Sequence, residues 1–445
     1  MIDKDKIQEA MQTAIDYSRA DQTEVLVSST STALTRFSNN YIHQNVAETN
    51  VSVSIRAVVD KKLGYASTNR LDAGSIKEMV DKAIEIAERR PPDPDFVSLP
   101  EPRPIELRDL VSKLTVNYSP KERALDLQRL IGAVAARNLT AAGAYSTGYS
   151  TLGLANSLGV NAVETISEAE LKTVVMSETS SAFSSAIAVN VNDIDVERIA
   201  LEAEETAIRG QNPAELKPGF YTVILSPYAV ADMVSFMAFA GFSALALQEG
   251  RSFMKDKFGQ QITDPRVSIW DDAYDPHTIG LTFDFEGVPK EKVVFIENGI
   301  AKSVCYDSYT ANKEGKKSTG HALPAPNPYG PMPLNLIMAP GDSSLAEMIR
   351  TSEQAILVSR FHYTNMEDPI RTTLTGMTRD GTFLIEDGKV KMPIKNLRFT
   401  QSIVEALSKI DAISLDRQLK EGILGPAYVP WIKVSEFNFT GVTQF

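Results

Sequence analysis

The sequence predicts an α+β protein, with duplicated antiparallel strand-and-helix layers in the N-terminal part and a mainly β C-terminal domain. In the first half, stretches of alternating polar and apolar residues are followed twice by charged amphipathic helical patterns. Beyond Gly219, short strand-like stretches joined by turn residues dominate instead. The chain has 445 residues, more than a single hydrophobic core usually serves, so more than one domain is expected.

The first predicted unit covers about residues 1–90. Residues 4–18 have a helical pattern, residues 50–59 alternate as a strand does, and residues 72–89 form a second amphipathic helical pattern. A proline-rich segment follows at 90–104, RPPDPDFVSLPEPRP, which is unsuited to a helix or a central strand. We therefore expect an exposed connector there.

A similar order of elements recurs at about residues 119–210. A helical pattern at 120–137 precedes several strands and a charged amphipathic helix at 195–209. Because each unit alone leaves too much apolar surface exposed, the two units are expected to pack against each other. The segment QNPAELKP at 211–218 predicts a boundary between an N-terminal domain, 1–214, and a C-terminal domain, 215–445.

The C-terminal domain is predicted to consist mainly of short strands joined by tight turns. Turn signals occur at 297–299 (ENG), 379–381 (RDG) and 386–388 (EDG), where hairpins are expected to begin or divide. The apolar run 233–247 predicts a buried core helix that ends near Gly250, and it is too short to span a bilayer. Strands are expected at 221–225, 267–270, 293–297, 301–305, 334–338, 356–361 and 372–377.

Composition limits the classes of function. A formal net charge of -12 argues against a general phosphate-binding surface, so direct nucleic-acid binding is not expected. The single cysteine, Cys305, excludes an intramolecular disulfide and a multi-cysteine metal site, and we expect it to be an inert, partly buried thiol. The N-terminus has no signal-peptide core, so a cytoplasmic protein without a membrane segment is expected.

Motifs for independent catalysis are missing from the sequence. The four histidines, at 43, 277, 321 and 362, include no pair at a helical ligand spacing. The chain has no GxSxG nucleophile elbow, and no GxxxxGK[ST] or GxGxxG follows a predicted strand. Adjacent acids such as Asp271 and Asp272 are interpreted as solvated surface charges.

Two segments carry a family resemblance: SFMAFAGFSALALQEGRSFMKDKFGQQITD at 235–264 and TGMTRDGTFLIEDGKVKMPIKN at 375–396. They resemble the TldD/TldE (PmbA) metallopeptidase family, also called modulators of DNA gyrase, and the resemblance extends over about residues 36–434. TldD subunits of that family have an HExxxH helix followed by an LEGD-like tail. Alignment of that tail with Glu249 and Gly250 places Gly241 and Phe242 at the first His and Glu, and Ala246 at the second His.

The resemblance implies that this chain lacks the zinc site of TldD subunits. A late cysteine completes that site in TldD, and the matching region at 416–434 has none. We therefore expect no catalytic residue, no metal ligand and no cofactor in this chain, with zinc in a TldD-like partner. Candidates for lining a peptide cleft are Phe242, Ala246, Glu249, Arg251 and His321. Glu249 is alternatively a helix-end residue paired with Arg251, and His321 an exposed or turn-bonded loop histidine.

By this resemblance, the chain is a TldE/PmbA-like subunit that forms part of a cavity wall in a cytoplasmic protease complex acting on extended polypeptides. Extended chains are expected to bind by strand addition, which requires no metal. Two alternatives stay open: a metal-free homodimer that binds peptides or proteins without catalysis, and an independent peptidase whose ligands come from distant positions. Whether the chain is itself an enzyme is not decided by the sequence.

Overall fold

A computed structural model describes residues 4–443. In the N-terminal domain, α1 (Lys4–Tyr17), β1 (Gln22–Ser38), β2 (Tyr41–Val59), β3 (Lys62–Thr68) and α2 (Ala73–Glu88) are followed by a short α3 (Lys113–Asn117). The order is then repeated by α4 (Pro120–Ala136), β4 (Thr140–Asn156), β5 (Asn161–Met176), β6 (Ser181–Ala188), a 3-10 turn (Val191–Asp193) and α5 (Val196–Arg209). The predicted duplication is confirmed, because each unit has one helix, three strands and one helix.

The two units form one antiparallel sheet of six strands, in the order β3-β2-β1-β4-β5-β6. The seam between the units is β1 against β4, paired from Glu24↔Asn156 to Phe37↔Gly143. The expectation of two layers packed together is thus corrected: the units join side by side. A sheet joined through its two first strands gives every inner strand two hydrogen-bonded neighbours.

The faces of this sheet follow the two-residue period of a strand. Val25 and Val27 point toward α1 and α2 and belong to the same apolar cluster as those helices. Leu26, between them, lies in a cluster with Phe283 of the C-terminal domain. One face therefore carries helices, and the other holds the second domain.

The edge strand β6 is closed at its midpoint by side chains of the C-terminal domain. The hydroxyl of Tyr228 accepts from the backbone nitrogen of Ser185 at 2.8 Å, and the Lys420 ammonium donates to the Ser185 carbonyl at 2.8 Å. The main-chain groups of an edge strand are open to pairing unless they are covered. Here the main-chain groups of Ser185 are covered within the same molecule.

The connector at 90–104 contains no helix or strand. Most of its residues are exposed, as expected, but Phe96 and Leu99 are buried against Val58. These two apolar residues between the prolines fold back on the first unit.

The C-terminal domain begins with β7 (Gly219–Leu225), α6 (Pro227–Gly241), α7 (Ala244–Gln248), β8 (Ile269–Asp271), β9 (Val293–Glu297), β10 (Ile300–Ala301), α8 (Ser308–Lys313), β11 (Leu336–Met338) and α9 (Leu345–Arg350). It ends with β12 (Gln354–Asp368), β13 (Thr373–Glu386), β14 (Lys389–Pro393), β15 (Leu397–Ser402), α10 (Ile403–Leu407), β16 (Ile410–Gly422) and β17 (Gly425–Val442). The mainly β character is as predicted.

Five strands of this domain close into a ring, because β17 pairs with both β15 and β7, and β13 and β12 lie between them. The remaining strands β11, β8, β9 and β10 extend from β17, while β14 and β16 flank β13 and β17. Helix α6 packs on β12, β16 and β17 and is buried on nearly all sides. No helix within residues 4–443 is long and apolar enough to cross a membrane.

Two of the three turn predictions are confirmed. Hairpin turns occur at Asn298–Gly299 and Asp387–Gly388, with positive φ at all four residues. The RDG segment lies instead within β13, where Asp380 (φ 55°) and Gly381 (φ 120°) coincide with a register shift against β12. It forms a bulge rather than a turn. The strand expected at 301–305 is shorter, since β10 ends at Ala301.

Candidate functional site

The apolar run expected to form one helix at 233–247 is divided in two. Helix α6 starts earlier, at Pro227, with Ser226 as its N-cap, and ends at Gly241. Phe242 is its C-cap, Ser243 is extended (φ -95°, ψ 134°), and α7 begins at Ala244. A single-residue bridge between Ser243 and Cys305 occupies the break. The prediction of a single helix was therefore wrong.

The positions aligned with the HExxxH motif are occupied by buried, closely packed apolar residues. Gly241, Phe242 and Ala246 are buried. A Cβ added to Gly241 would lie 2.4 Å from the Phe253 ring, and Phe242 stacks on Phe295 with ring centres 4.2 Å apart. A zinc ion needs nitrogen, sulfur or oxygen ligands, so these three residues do not fit a zinc ion.

More widely, residues 4–443 contain no group of three or more His, Cys, Asp or Glu side chains arranged to hold a metal ion. Cys305 is fully buried, not partly buried as expected. Burial raises the pKa of its thiol well above the ordinary value, with the nearby charge of Asp271 as the second cause. A thiol held in the protonated form is a poor nucleophile and a poor metal ligand.

The two charged candidates at the end of α7 form a surface pair. Glu249 is the C-cap of the helix, and Arg251 donates from Nε to its carboxylate at 2.6 Å. Both side chains are well exposed, so this contact contributes little to stability. The alternative in which Glu249 ends its helix and pairs with Arg251 matches this geometry.

His321 is fully buried, so it is not a solvent-exposed loop histidine, and its bond to nearby Thr319 matches the turn-bonded alternative. Its Nε2 lies 3.1 Å from Oδ1 of Asp271, and its Nδ1 lies 3.0 Å from the hydroxyl of Thr319. Because a carboxylate only accepts, Nε2 carries the proton and Nδ1 accepts from Thr319. Asp271, predicted to be a surface charge, is also fully buried. Its Oδ2 accepts the backbone N–H of Asn335 at 2.6 Å.

The electrostatics of this pair keep the histidine neutral. Burial, followed by the charge of Lys290, lowers the pKa of His321. Burial alone would raise the pKa of Asp271, but His321, Lys290 and the Asn335 N–H outweigh it and hold that pKa below its usual value. An enclosed pair of a neutral histidine and an ionised aspartate, without access to solvent, acts as a structural brace.

Phe242, Ala246 and His321 are thus buried and do not line an open cleft in this chain. Glu249 and Arg251 lie on the surface, outside the main cavity. That cavity, of about 710 Å³, lies at the seam between the two domains and is lined by Leu245, the neighbour of Ala246. We call it the interdomain cavity; its walls come from β2, β3, the connector, α7, α8 and the loop at 322–330.

A buried charge cluster forms the inner end of the interdomain cavity. Arg56 donates from Nη2 to Glu24 at 2.5 Å and from Nη1 to Glu286 at 3.4 Å. The second oxygen of Glu286 accepts from the backbone nitrogen of Ser308 at 3.0 Å. Burial alone would lower the pKa of Arg56, but Glu24 and Glu286 outweigh it and raise that pKa. The cluster therefore ties β1 and β2 to the start of α8.

The opposite wall contains an unpaired sheet edge. The two-residue turn Asp60–Lys61 closes the β2–β3 hairpin, so Lys62, Gly64 and Ala66 bond to β2 and the alternate residues face outward. Arg90 donates to the outward carbonyl of Leu63 at 3.4 Å. The outward main-chain groups of Tyr65 and Ser67 receive no hydrogen bond from the rest of residues 4–443.

Sequence reasoning did not identify the residues of this cavity. Arg56, Glu24 and Glu286 have no local motif, and Arg56 and Glu286 are 230 positions apart in the chain. The one local signal is the Asp60–Lys61 turn between two stretches of alternating apolar and polar residues, which indicates a β2–β3 hairpin. This signal does not identify the residues on the other side of the cavity.

The fold is that of an α+β protein with a mainly β C-terminal domain, and the residues at 241, 242 and 246 supply no metal ligand. Models of PmbA/TldA metallopeptidase domains match more than half of the chain. The C-terminal domain model matches residues 218–441, and the domain 1 model matches residues 23–87. The chain belongs to the TldD/TldE/PmbA family.

Relatives agree with this assignment. An uncharacterized protein of Methanocaldococcus jannaschii is 27% identical over 387 residues, which cover 85% of this chain and 87% of that protein. A metalloprotease of the same archaeon is 29% identical over 231 residues, 51% of this chain and 50% of that protein. The crystal structure of TldE from Thermococcus kodakarensis matches with a TM-score of 0.89 and 23% identity, over 98% of this chain and 100% of that chain, which shows a common fold.

Proposed function

We propose that this chain is a TldE/PmbA-like subunit without its own zinc site, which works with a zinc-bearing TldD-like partner in a cytoplasmic protease complex. In this complex the partner supplies the metal, the base and the water. This chain supplies wall surface for an extended polypeptide.

The observation that carries the proposal is the packing at the motif positions. Gly241 touches Phe253, Phe242 stacks on Phe295, and Ala246 is enclosed, so the space that imidazoles and a water molecule need is taken by side chains. Metal-assisted hydrolysis requires three protein ligands and an open position for water. Family membership without these groups supports a division of labour between two chains.

The test compares the purified chain, the purified TldD-like partner and their mixture. Zinc is measured by mass spectrometry, and cleavage is followed with fluorescein-labelled casein. We expect no zinc and no cleavage with this chain alone, and cleavage when both chains are present. A partner in which the Glu of HExxxH is replaced by Gln is the control, and its mixture should be inactive.

Stoichiometric zinc with chelator-sensitive cleavage by this chain alone would overturn the proposal in favour of an independent peptidase. Failure to associate with the partner, together with a stable homodimer, would favour the metal-free binding protein instead.

A further inference from the structure

Strand β2 is much longer than the strand that covers its outer side. β2 has 19 residues and β3 has 7, and β3 pairs only with residues 53–59. Residues 41–52 of β2 lie beside β1 on one side. On the other side, their main chain has no hydrogen bond or bridge to any part of residues 4–443. We call this stretch, residues 41–52, the open edge of β2.

Every second residue of the open edge presents its main chain outward, because hydrogen-bonded and non-hydrogen-bonded pairs alternate along an antiparallel ladder. The two-residue turn Asp60–Lys61 makes Val59↔Lys62 a hydrogen-bonded pair, so odd-numbered residues of β2 bond to β3. The same alternation continues beyond the end of β3. It leaves outward N–H and C=O groups at Asn45, Ala47, Thr49 and Val51.

The open edge lacks the features that protect the edge strands of monomeric proteins. Glu48 is its only Asp, Glu, Lys or Arg residue, and it contains no proline. The register shift between β1 and β2 lies near the hairpin tip, at Arg36/Phe37. Residues 43–50 are all exposed, so both faces of the strand are open. Charges, prolines and bulges normally prevent pairing at such an edge, and their absence here indicates a partner strand.

The second unit of the duplicated domain shows what covers the equivalent edge. β5 has the position of β2 in that unit and extends beyond β6, which pairs with residues 169–176. An extended segment before α3 lies along this extension. Leu110 forms a parallel bridge with Ile166, and its carbonyl accepts from the backbone nitrogen of Ser167 at 2.9 Å. The fold therefore accommodates a further strand at this place, and in the first unit residues 4–443 provide none.

A second copy of this chain carries a strand that fits the open edge. An antiparallel pair of two β2 strands centred on Ala47 sets Ala47 opposite Ala47, Asn45 opposite Thr49 and Val46 opposite Glu48. The outward groups of residues 45, 47 and 49 then all gain main-chain partners. The acidic Glu48 meets Val46 and not its own copy, so no like charges lie directly opposite each other. The axis falls near the middle of the open edge.

We propose that two copies of this chain pair antiparallel through residues 43–51 of β2, about a twofold axis at Ala47, and join their six-stranded sheets into one continuous sheet. The same strand is used on both copies, so the contact is isologous and is completed by the dimer. The inference concerns this chain alone and does not depend on the proposed function.

The first test measures the mass of the purified full-length chain by sedimentation equilibrium over a range of concentrations. We expect a reversible dimer. Ala47→Pro removes the outward N–H at the axis but no hydrogen bond to β1. It should raise the dissociation constant at least about tenfold, since two main-chain hydrogen bonds across the axis are lost. Ser67→Pro is the matched control, because it removes an outward N–H from β3, outside the proposed contact, and should leave the dimer unchanged.

Cysteine cross-linking tests the register without introducing a proline. Val46 and Glu48 of opposite copies form a non-hydrogen-bonded pair in the proposed contact, the arrangement that brings Cβ atoms closest. Chains with Val46→Cys are mixed with tagged chains that carry Glu48→Cys, and mild oxidation should join them faster than it joins two chains of either kind. The native Cys305 is fully buried and does not compete.

A chain that stays monomeric at every concentration, or a dimer that Ala47→Pro leaves intact, would overturn the inference. If Ser67→Pro dissociates the dimer and Ala47→Pro does not, the chains pair through β3 and the inference fails. Absence of the mixed disulfide contradicts the register centred on Ala47. A dimer that forms only with the TldD-like partner also contradicts the inference, because the edge then does not bind a second copy. The zinc and cleavage measurements decide the proposed function separately.

Discussion

The carbonyl oxygen of Phe242 accepts two hydrogen bonds from Cys305, one from its backbone nitrogen at 2.9 Å and one from Sγ at 3.1 Å. A carbonyl at a helix C-terminus has no partner within its own helix. Cys305 supplies that partner and at the same time bridges Ser243, whose extended backbone separates α6 from α7. The cysteine therefore stabilises the break that divides the region aligned with the HExxxH motif.

The first prediction concerns the reactivity of this thiol. Because Cys305 is fully buried and its pKa is raised by burial, we expect no labelling by a disulfide reagent in the native protein and full labelling in urea. Cys305→Ala should lower the free energy of unfolding by about 1 kcal/mol through loss of the Sγ contact, while Cys305→Ser should keep a donor and leave activity of the complex intact. Rapid labelling of the folded chain would contradict this.

The second prediction concerns the close packing at Gly241. Gly241→Ala brings a methyl group to 2.4 Å from the Phe253 ring and 3.0 Å from the Ser252 hydroxyl, so a loss of about 1–3 kcal/mol is expected in urea unfolding. Gly132→Ala in α4 is the control, because a Cβ there meets nothing within 4 Å. It should stabilise the protein by about 0.5–1 kcal/mol. Similar effects of the two changes would show that position 241 is not tightly packed.

The third prediction concerns the His321–Asp271 pair. His321→Gln leaves the buried Asp271 carboxylate without a matched donor, so we expect a loss of more than about 2 kcal/mol. His277→Gln is the comparison, since His277 contacts Asp275 at the surface, where a loss below about 1 kcal/mol is expected. Both are measured by urea unfolding at pH 7. A small effect at position 321 would argue against the bracing role.

The fourth prediction concerns the pH dependence of stability. Burial raises the pKa of Asp232 to about 7, and Arg360 only partly opposes it. The folded state thus favours the protonated carboxyl. The stabilisation that Asp232 contributes to the folded state is therefore complete below pH 4 and is lost as the pH rises to about 7. Asp232→Asn should therefore be more stable than the unchanged chain by about 2 kcal/mol at pH 8, with the difference vanishing toward pH 4.

Thermal unfolding of both proteins across this pH range checks the prediction. Glu178→Gln, in the turn between β5 and β6, is the control for loss of one negative charge. A stability difference for Asp232→Asn that stays constant from pH 4 to pH 8 would be incompatible with a raised pKa.

Features set by neighbouring residues were predicted well from the sequence. The helices at α2, α4 and α5 follow apolar periodicity and capping residues such as Asp72, Ser119 and Asp195, and two Gly-containing turns form hairpins as expected. The break at Phe242 could not be predicted, because the apolar run continues across it and the residue that fills it, Cys305, lies 63 positions away.

The candidate site was the least predictable part. His321 and Asp271 looked like surface groups because loops and adjacent acids usually are, and only the fold encloses them together. The Arg56 cluster depends on contacts between strands of one domain and the helix start of another. Such contacts leave no periodic or motif signal in the chain.

The six-stranded sheet has two different ends. At β6, Tyr228 and Lys420 cover the main chain of Ser185, whereas at β3 the groups of Tyr65 and Ser67 are open. An added strand would therefore find open main-chain groups at Tyr65 and Ser67, whereas those of Ser185 are already bonded. Pairing of two chains through β3 would use both of these open edges, so a sheet joined in this way would not offer the main-chain groups of Tyr65 and Ser67 to a third chain.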